Sequence, residues 1–313
     1  MAALLLLQAA LPSVPQRVSG RIVRPGGERM DPLSGAWVVL HRVGPDRAGP
    51  LDSVRSDARG RYSFNYVRTG SENAIYFVSA SHDGIAYFTP PLTAARVSGG
   101  DGEITVFDTT SLHVPMSLRG HHVVVSAADA NALRSIVEVY DLSNDSTVTR
   151  IANAETPAGA TWQTHVAPGA SDFKVSQGDI SAAAVSYASG VVNVFAPLAP
   201  GIKQLSFSYS LPAASFPLKL PLETETGIYE ILIEEKVGSV TGPNLKEMDP
   251  VTVDERSFRR FLASDMPKNS VAVIDLPAPP PSARSIDPRY MVALTVLIGG
   301  TMVLALAQAL RRR

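Results

Sequence analysis

The histidines are the side chains of this sequence best suited to metal binding or acid–base chemistry. His121 and His122 are adjacent, and neighbours in a β-strand point to opposite faces of the sheet, so we predict that they do not share a metal ion. The other four histidines are scattered, which favours surface positions or satisfied core positions. The chain contains no cysteine, and this excludes both thiol chemistry and a disulfide framework.

Two acidic groups have spacings that suggest cation binding. Asp141, Ser143 and Asp145 alternate as in a calcium loop, but the Gly and the closing Glu of an EF-hand are absent, so a hairpin turn is favoured. A second acidic string is predicted to be a solvated strand face, with cation binding as the alternative. It consists of Glu223, Glu225, Glu230, Glu234 and Glu235.

Motifs that would identify an enzyme are missing from the sequence. It has no Gly-x-Ser-x-Gly elbow, no His-Glu-x-x-His pair and no phosphate-binding glycine loop. We therefore predict no catalytic residue, no metal ligand and no cofactor site. Residues 17–108 carry 11 Arg and no Lys against 10 acidic residues, and residues 109–276 carry 12 basic against 18 acidic residues. Neither region has the basic surplus that nucleic-acid binding requires.

Both ends of the chain are hydrophobic. Residues 290–310 predict a single transmembrane helix, because Met291–Leu310 has no formal charge and can span about 30 Å. Arg311–Arg313 follow, and positive charge favours the cytoplasmic side. Residues 1–16 resemble a signal peptide. We therefore expect a single-pass membrane protein with its N-terminus outside and its bulk extracytoplasmic, raised on a proline-rich stalk at residues 277–289.

The predicted transmembrane helix carries a stripe of small residues. Thr301, Ala305 and Ala309 recur at every fourth position, and Gln308 lies beside them. Small residues let a second helix approach closely, and an amide in hydrocarbon needs a hydrogen-bond partner. These four residues are a candidate helix–helix contact with a membrane-protein partner. The alternative is a plain anchor with Gln308 at the interface.

The region between the two ends predicts an all-β protein. Short runs rich in Val, Ile, Tyr and Phe alternate with clusters of Gly, Pro, Asp and Ser, which is typical of β-sandwiches. In "RYSFNYV" the aromatic residues share one face of a strand. They are predicted to form a core face, with a sugar-stacking ligand platform as the alternative, and they are Tyr62, Phe64 and Tyr66.

Four stretches of the first region resemble a known domain family. They are "VSGRIVRPG", "PLSGAWVVLHRV", "SVRSDARGRYSFNYV" and "YFVSASHDGIAY". Together they resemble a carboxypeptidase regulatory-like domain, a prealbumin-type sandwich of the carbohydrate-binding-like fold group. The resemblance implies a β-sandwich over residues 17–108 and an accessory binding or mechanical role, but no peptidase activity. A Lys–Asn isopeptide cross-link is excluded in this domain, because the first lysine is Lys174.

Residues 109–276 predict a second β-rich region, with a split near residue 221 as an alternative. Within it, "VTVDERSFRRFLASDM" fits a strand better than a helix, although Thr252 and Glu255 have the spacing of a capping box. An exported chain without disulfides favours a bacterial cell envelope, including the periplasm. We therefore predict a non-enzymatic, membrane-anchored binding or structural module that contacts a membrane protein or an envelope polymer. The alternative is a hydrolase, or a hydrolase accessory, acting on glycans or peptides.

Overall fold

The computed structural model describes residues 14–153, 159–253 and 255–277. The predicted signal peptide up to residue 13, the stalk from residue 278 onward and the predicted transmembrane helix at 290–310 lie outside these residues. Within the described ranges, no helix combines the length and the hydropathy needed to cross a membrane. The chain divides into two compact units: unit 1 ends at Thr109 and unit 2 begins at Thr110.

Unit 1 is built from nine strands in two sheets. One sheet has the order β2-β1-β5, with the short strands β8 and β9 also pairing with β1, and the other has the order β4-β3-β6-β7. The strands are β1 (Pro15–Pro25), β2 (Met30–Pro32), β3 (Trp37–Val43), β4 (Ala48–Arg55), β5 (Arg61–Val67), β6 (Ile75–His82), β7 (Ile85–Phe88), β8 (Arg96–Val97) and β9 (Ile104–Thr105).

The core of unit 1 follows from strict alternation along β5. Every second residue of "RYSFNYV" is buried, and Phe64 pairs across the sheet with Val18 of β1. The Tyr62 hydroxyl donates a hydrogen bond to the carbonyl of Gly102 at 2.6 Å. Gly20 is required beside it, because a Cβ at this position would lie 1.7 Å from the Gly102 oxygen. The aromatic row therefore forms the interior of a sandwich-like unit.

Turn residues fix the register of unit 1 at two places. Asp83 and Gly84 have φ values of +48° and +78° and link β6 to β7 through a tight hairpin. Before β5, the Asp57 carboxylate accepts hydrogen bonds from the backbone N–H groups of Arg59 and Arg61, both at 2.8 Å. Such an Asx turn replaces backbone pairing that the chain loses where it reverses.

The remaining strands belong to unit 2, except that β10 begins at Thr109, the last residue of unit 1. Short 3₁₀ turns, and no α-helix, interrupt the strands in the described part of this unit. The strands are β10 (Thr109–Thr110), β11 (Met116–Val125), β12 (Leu133–Asn144), β13 (Thr149–Arg150), β14 (Trp162–His165), β15 (Ser171–Val175), β16 (Val185–Ala188), β17 (Val191–Val194), β18 (Gly201–Pro212), β19 (Leu218–Pro221), β20 (Thr226–Ile233), β21 (Ser239–Thr241), β22 (Lys246–Val253), β23 (Arg256–Met266) and β24 (Val271–Asp275).

A seven-stranded sheet organises unit 2, in the order β15-β18-β12-β11-β20-β23-β22. Its pairings are antiparallel except between β11 and β20, which are parallel. The sheet takes strands from both sides of Pro221, so the alternative of two smaller sandwiches divided there is wrong. Two three-stranded sheets, β14-β17-β16 and β19-β24-β21, contribute to the large hydrophobic core on one face, which we call the inner face.

The all-β prediction is confirmed for the described residues. The ambiguous stretch at 251–266 forms the end of β22 and the whole of β23, as the favoured strand interpretation predicts. Phe258 packs on one face of β23, whereas Phe261 and Ala263 pack into the core on the other. Burial on both faces explains why apolar residues follow a spacing that also resembles a helical stripe.

Candidate functional site

The aromatic row predicted as a core face or a ligand platform lies in the interior. Tyr62, Phe64 and Tyr66 are 5%, 2% and 9% exposed, and Tyr66 stacks on Tyr76 with ring centroids 5.4 Å apart. A sugar cannot stack on rings that the opposite sheet already covers, so the platform alternative is not supported at these positions. The candidate helix contact at Thr301, Ala305, Gln308 and Ala309 lies outside the described residues.

An open aromatic surface exists elsewhere in unit 1, on the outward face of β3, β6 and β7. We call it the aromatic face and define it by Trp37, His41, Phe77 and Phe88. The register aligns His41 with Phe77 across β3 and β6, and Ser79 with Phe88 across β6 and β7. Because directly opposed residues share a face, these side chains form one surface.

The rings of the aromatic face contact one another but remain accessible. The His41 and Phe77 rings stack at 5.0 Å and 15°, and Phe77 meets Phe88 edge-on at 5.7 Å. Trp37 is 46% exposed and Phe88 58%. Arg55 of β4 lies over the Trp37 ring, 5.2 Å from its centroid. The two most exposed rings of the aromatic face therefore remain accessible to a ligand.

Polar groups are interleaved with these rings. His41 Nε2 lies 2.8 Å from the Ser79 hydroxyl, within hydrogen-bonding distance. Partial burial lowers the pKa of His41, which keeps its ring neutral at physiological pH. The outward positions of β3, β6 and β7 that pair on this face include no carboxylate. Apart from Arg55 at its edge, the surface is uncharged, and it offers both stacking planes and hydrogen-bonding groups.

His82, Asp83 and Asp108 form the one group of three potential metal ligands among the described residues, with ligand atoms within 4.8 Å of one another. His82 Nε2 lies 2.8 Å from Asp108 Oδ1, and Arg24 Nη1 donates to the same oxygen at 3.1 Å. These contacts, chiefly the hydrogen bond from His82, lower the pKa of Asp108. A metal ion would have to displace the Arg24 guanidinium, so the arrangement fits an ion-pair network better than a metal centre.

Unit 2 buries a carboxylate in the centre of its inner face. Glu138 accepts hydrogen bonds from His121 Nε2 at 2.8 Å, from the Tyr140 hydroxyl at 2.5 Å and from the Tyr209 hydroxyl at 2.7 Å. Burial opposes ionisation of Glu138, but these hydrogen bonds outweigh it and lower its pKa. Burial and the Glu138 charge raise the pKa of both tyrosines. Both carboxylate oxygens of Glu138 therefore accept hydrogen bonds from buried side chains of the protein.

The opposite face of the same sheet carries a second buried charged group. His122 Nδ1 donates to Glu230 Oε2 at 2.7 Å, and Arg260 Nε donates to Glu230 Oε1 at 2.6 Å. Asp141 Oδ2 lies 3.7 Å from His122 Nε2, and Gln204 donates to the other Asp141 oxygen at 3.1 Å. Burial acts to lower the pKa of His122, but Asp141 and Glu230 raise it overall. His121 and His122 thus serve opposite faces, as predicted.

Asp141 and Asp145, the two carboxylates of the stretch that resembled a calcium loop, contact different sets of side chains. Asp145 accepts hydrogen bonds from the Ser117 and Ser143 hydroxyls and from Arg119, which together lower its pKa to about 2. Asp141 instead faces His122. The favoured hairpin-turn interpretation fits these contacts, since each carboxylate is engaged by protein side chains.

The solvated-face prediction for the second acidic string is wrong for three of its members. Glu230 is 7% exposed and holds the ion pairs described above. Glu234 pairs with Arg256, and Glu235 pairs with the fully buried Arg134 at 2.8 Å. Glu223 and Glu225 are exposed, as predicted. The strand was recognised, but its cationic partners come from distant parts of the chain.

Comparison with known proteins identifies no family for the chain. No family model matches it, and no curated protein matches it. Among solved structures, an M1 zinc metallopeptidase from Deinococcus radiodurans with a bound tripeptide substrate matches at 9% identity and a TM-score of 0.31. The match covers 51% of this chain and 42% of that chain, so the chain spans less than half of the peptidase. A likeness at this score carries no functional argument.

Proposed function

We propose that this protein is a non-enzymatic binding module of the cell envelope and that the aromatic face of unit 1 binds a neutral glycan. The observation that carries the proposal is the exposure of Trp37 and Phe88 on one strand-built surface with interleaved hydroxyl and imidazole groups. A sugar ring has apolar C–H faces and polar hydroxyls, and it needs both kinds of contact at once. An aromatic plane beside a hydrogen-bonding group supplies them.

A glycan fits this surface better than a protein partner does. Serine side chains stand opposite Trp37, Val39 and Phe88 in the register, so the apolar area is repeatedly interrupted. The core of a protein–protein interface is usually depleted of such small polar groups and more continuous in its packing. The resemblance of residues 17–108 to a carboxypeptidase regulatory-like domain of the carbohydrate-binding-like group supports the same conclusion.

We further propose that the segment at 290–310 anchors the protein in a membrane, with residues 17–276 outside the cytoplasm. The length and hydropathy of the C-terminal segment and its flanking arginines support this topology. Protease added to intact spheroplasts should digest nearly the whole chain. Complete protection would contradict the topology without affecting the glycan proposal.

Glycan binding can be tested with the full chain in phosphatidylcholine nanodiscs and chitohexaose, a neutral N-acetylglucosamine oligomer. In a Trp162→Phe background, Trp37 is the remaining tryptophan, so its fluorescence reports on the aromatic face. Chitohexaose should change this fluorescence with saturation. Phe88→Ala should weaken binding about tenfold or more, because an exposed stacking plane is lost.

Met30→Ala is the matched control, since Met30 is as exposed as Trp37 but lies in β2, in the other sheet of unit 1. It should leave the affinity unchanged. Equal weakening by Phe88→Ala and Met30→Ala, or no response to neutral glycan, would overturn the proposal. Binding of a protein but no glycan at the aromatic face would also overturn it.

A further inference from the structure

A second surface of unit 1 has the opposite chemical character. A groove of about 710 Å³ lies over the outward face of β1 and β5, and four of its lining residues are arginines. Arg21 and Arg61 oppose each other directly across the two strands, and Ser19 opposes Ser63 in the same register. Arg17 lies on the same face of β1, because it is two residues from Ser19.

The lining of the groove is more positively charged than the unit as a whole. Its lining holds Arg17, Arg21, Arg55 and Arg61 against two acids, a formal charge of 4 − 2 = +2. Residues 17–108 as a whole have 11 − 10 = +1, and the whole chain is −1. Like charges placed directly opposite in an antiparallel pair are destabilising. Glu103 offsets part of this repulsion through its ion pair with Arg21, and a bound anion would offset more of it.

The acids of the groove are already engaged. Glu103 pairs with Arg21 at 2.9 Å. The Asp57 carboxylate accepts the two backbone N–H groups of the turn before β5, which lower its pKa. Arg55 Nη1 donates to the Gly35 carbonyl at 2.7 Å. Asp57 attracts Arg61 electrostatically but forms no ion pair with it, so the lining keeps its formal charge of +2 and the Arg61 guanidinium keeps its hydrogen-bond donors.

Two guanidinium groups consequently remain open to an anion. The side chains of Arg17 and Arg61 form no hydrogen bond or salt bridge with any residue in the described ranges. A guanidinium presents parallel N–H donors that match a phosphate group bidentately, and the hydroxyls of Ser19 and Ser63 can donate beside it. Gly99 and Gly100 border open space in the groove lining, because a Cβ added at either position would meet no atom within 4 Å.

We propose that this arginine groove binds a phosphate-bearing ligand through Arg17 and Arg61. The groove meets the sheet of the aromatic face at Val54 and Arg55 of β4, and Arg55 also lies over Trp37. Arg17 and Arg61 belong to β1 and β5 of the other sheet, so substituting them tests phosphate binding without altering the aromatic rings. Phosphate of this kind can belong to an anionic lipid headgroup or to a soluble polymer, and the chemistry recognised is the same. Binding should weaken as salt rises, because the side chains are exposed and their charges are screened.

The test uses the full chain in phosphatidylcholine nanodiscs with two probes. One probe is soluble polyphosphate, and the other is vesicles of phosphatidylcholine with and without phosphatidylglycerol. Arg17→Gln combined with Arg61→Gln should reduce the affinity for at least one phosphate probe about tenfold or more. A response confined to phosphatidylglycerol vesicles supports the proposal with a lipid as the source, and a response to polyphosphate supports it with a soluble polymer.

Arg29→Gln combined with Arg47→Gln is the control, because it removes the same charge from exposed positions of unit 1 outside the groove lining. It should retain the affinity. An equal loss of phosphate affinity in the two double variants would show that binding depends only on the overall positive charge, and it would overturn the proposal. Absence of binding to both probes at low salt would also overturn it. Urea unfolding followed by Trp37 fluorescence in a Trp162→Phe background confirms that both double variants are folded, whether or not the chain binds a glycan.

Discussion

The two units of this protein differ in how many charged side chains they bury. Apart from Arg42, which is 3% exposed and pairs with Asp46, unit 1 leaves its arginines and its open aromatic rings at least partly accessible and has a largely apolar interior. Unit 2 buries Arg134, Glu138 and His122 at exposures of 0%, 1% and 4%. Surface groups remain free to meet a ligand, whereas buried charges must be satisfied by the protein itself. The comparison therefore agrees with the proposal that the ligand-binding surfaces belong to unit 1.

Buried polar groups also restrict how the strands of unit 2 can pair. Glu138 on β12 is hydrogen-bonded by His121 on β11 and Tyr209 on β18, so one carboxylate connects three neighbouring strands. Glu230 on β20 links His122 on β11 to Arg260 on β23. A shift of one residue in any strand would move these groups to the other face and leave charges unpaired.

The largest expected effect comes from breaking the Glu138 group. Glu138→Ala leaves three buried donors without an acceptor and should lower the free energy of unfolding of unit 2 by about 3–5 kcal/mol. The chain has two tryptophans, Trp37 in unit 1 and Trp162 in unit 2. Urea unfolding in a Trp37→Phe background, followed by Trp162 fluorescence, measures the change.

Glu247→Ala is the control for this prediction. Glu247 pairs with Arg259 at 2.7 Å, but it lies at the surface, where such pairs contribute about 0–1 kcal/mol. A similar loss of unfolding free energy in the two variants would contradict the prediction that a buried carboxylate contributes more than an exposed one. Glu138→Gln, which keeps an acceptor oxygen, should lie between them.

A smaller effect is expected from removing one buried tyrosine hydroxyl in unit 1. Tyr62→Phe removes the donor to the Gly102 carbonyl, and it should cost about 1–2 kcal/mol in the unfolding of unit 1. Trp37 fluorescence in a Trp162→Phe background follows this unit. The comparison variant is Tyr229→Phe in unit 2, whose buried hydroxyl has no hydrogen-bond partner among the described residues.

Tyr229→Phe should therefore change the stability of unit 2 by less than about 0.5 kcal/mol, or stabilise it. If Tyr229→Phe lowered the free energy of unfolding more than Tyr62→Phe does, the presence of a hydrogen-bond partner would not explain what each hydroxyl contributes to stability.

The smallest expected effect is a pH response of opposite sign in the two units. The pKa of His41 is lowered in folded unit 1, so the unfolded state binds its proton more readily, and stability falls as pH drops below the ordinary value of 6.5. The pKa of His122 is raised in folded unit 2, so its contribution is fully present below 6.5 and is lost as pH rises through the folded pKa.

Unfolding midpoints between pH 5.5 and pH 8, approximate limits that bracket the ordinary histidine pKa, test this contrast with the two tryptophan reporters. His41→Asn should abolish the slope in unit 1, and His122→Asn should abolish it in unit 2. Slopes of the same sign in both units would contradict the assignment.

The strands were predictable because alternation and turn chemistry are local. "RYSFNYV" shows its two faces directly, and "HDG" marks the turn between β6 and β7. The opposite directions of His121 and His122 also follow from adjacency alone. The ion pairs of Glu230 were not predictable, because His122 lies 108 residues away along the chain. The aromatic face was missed because both faces of β3 carry apolar residues.

The sequence by itself determined the all-β character of the described chain, the inward row of Tyr62, Phe64 and Tyr66, and the exclusion of thiol chemistry. These follow from side-chain periodicity and composition, which do not depend on partners. Only the tertiary structure decided which rings remain open, which acids are buried and which arginines lack a carboxylate. Such properties depend on what packs on each strand face, and strands distant in sequence supply that packing.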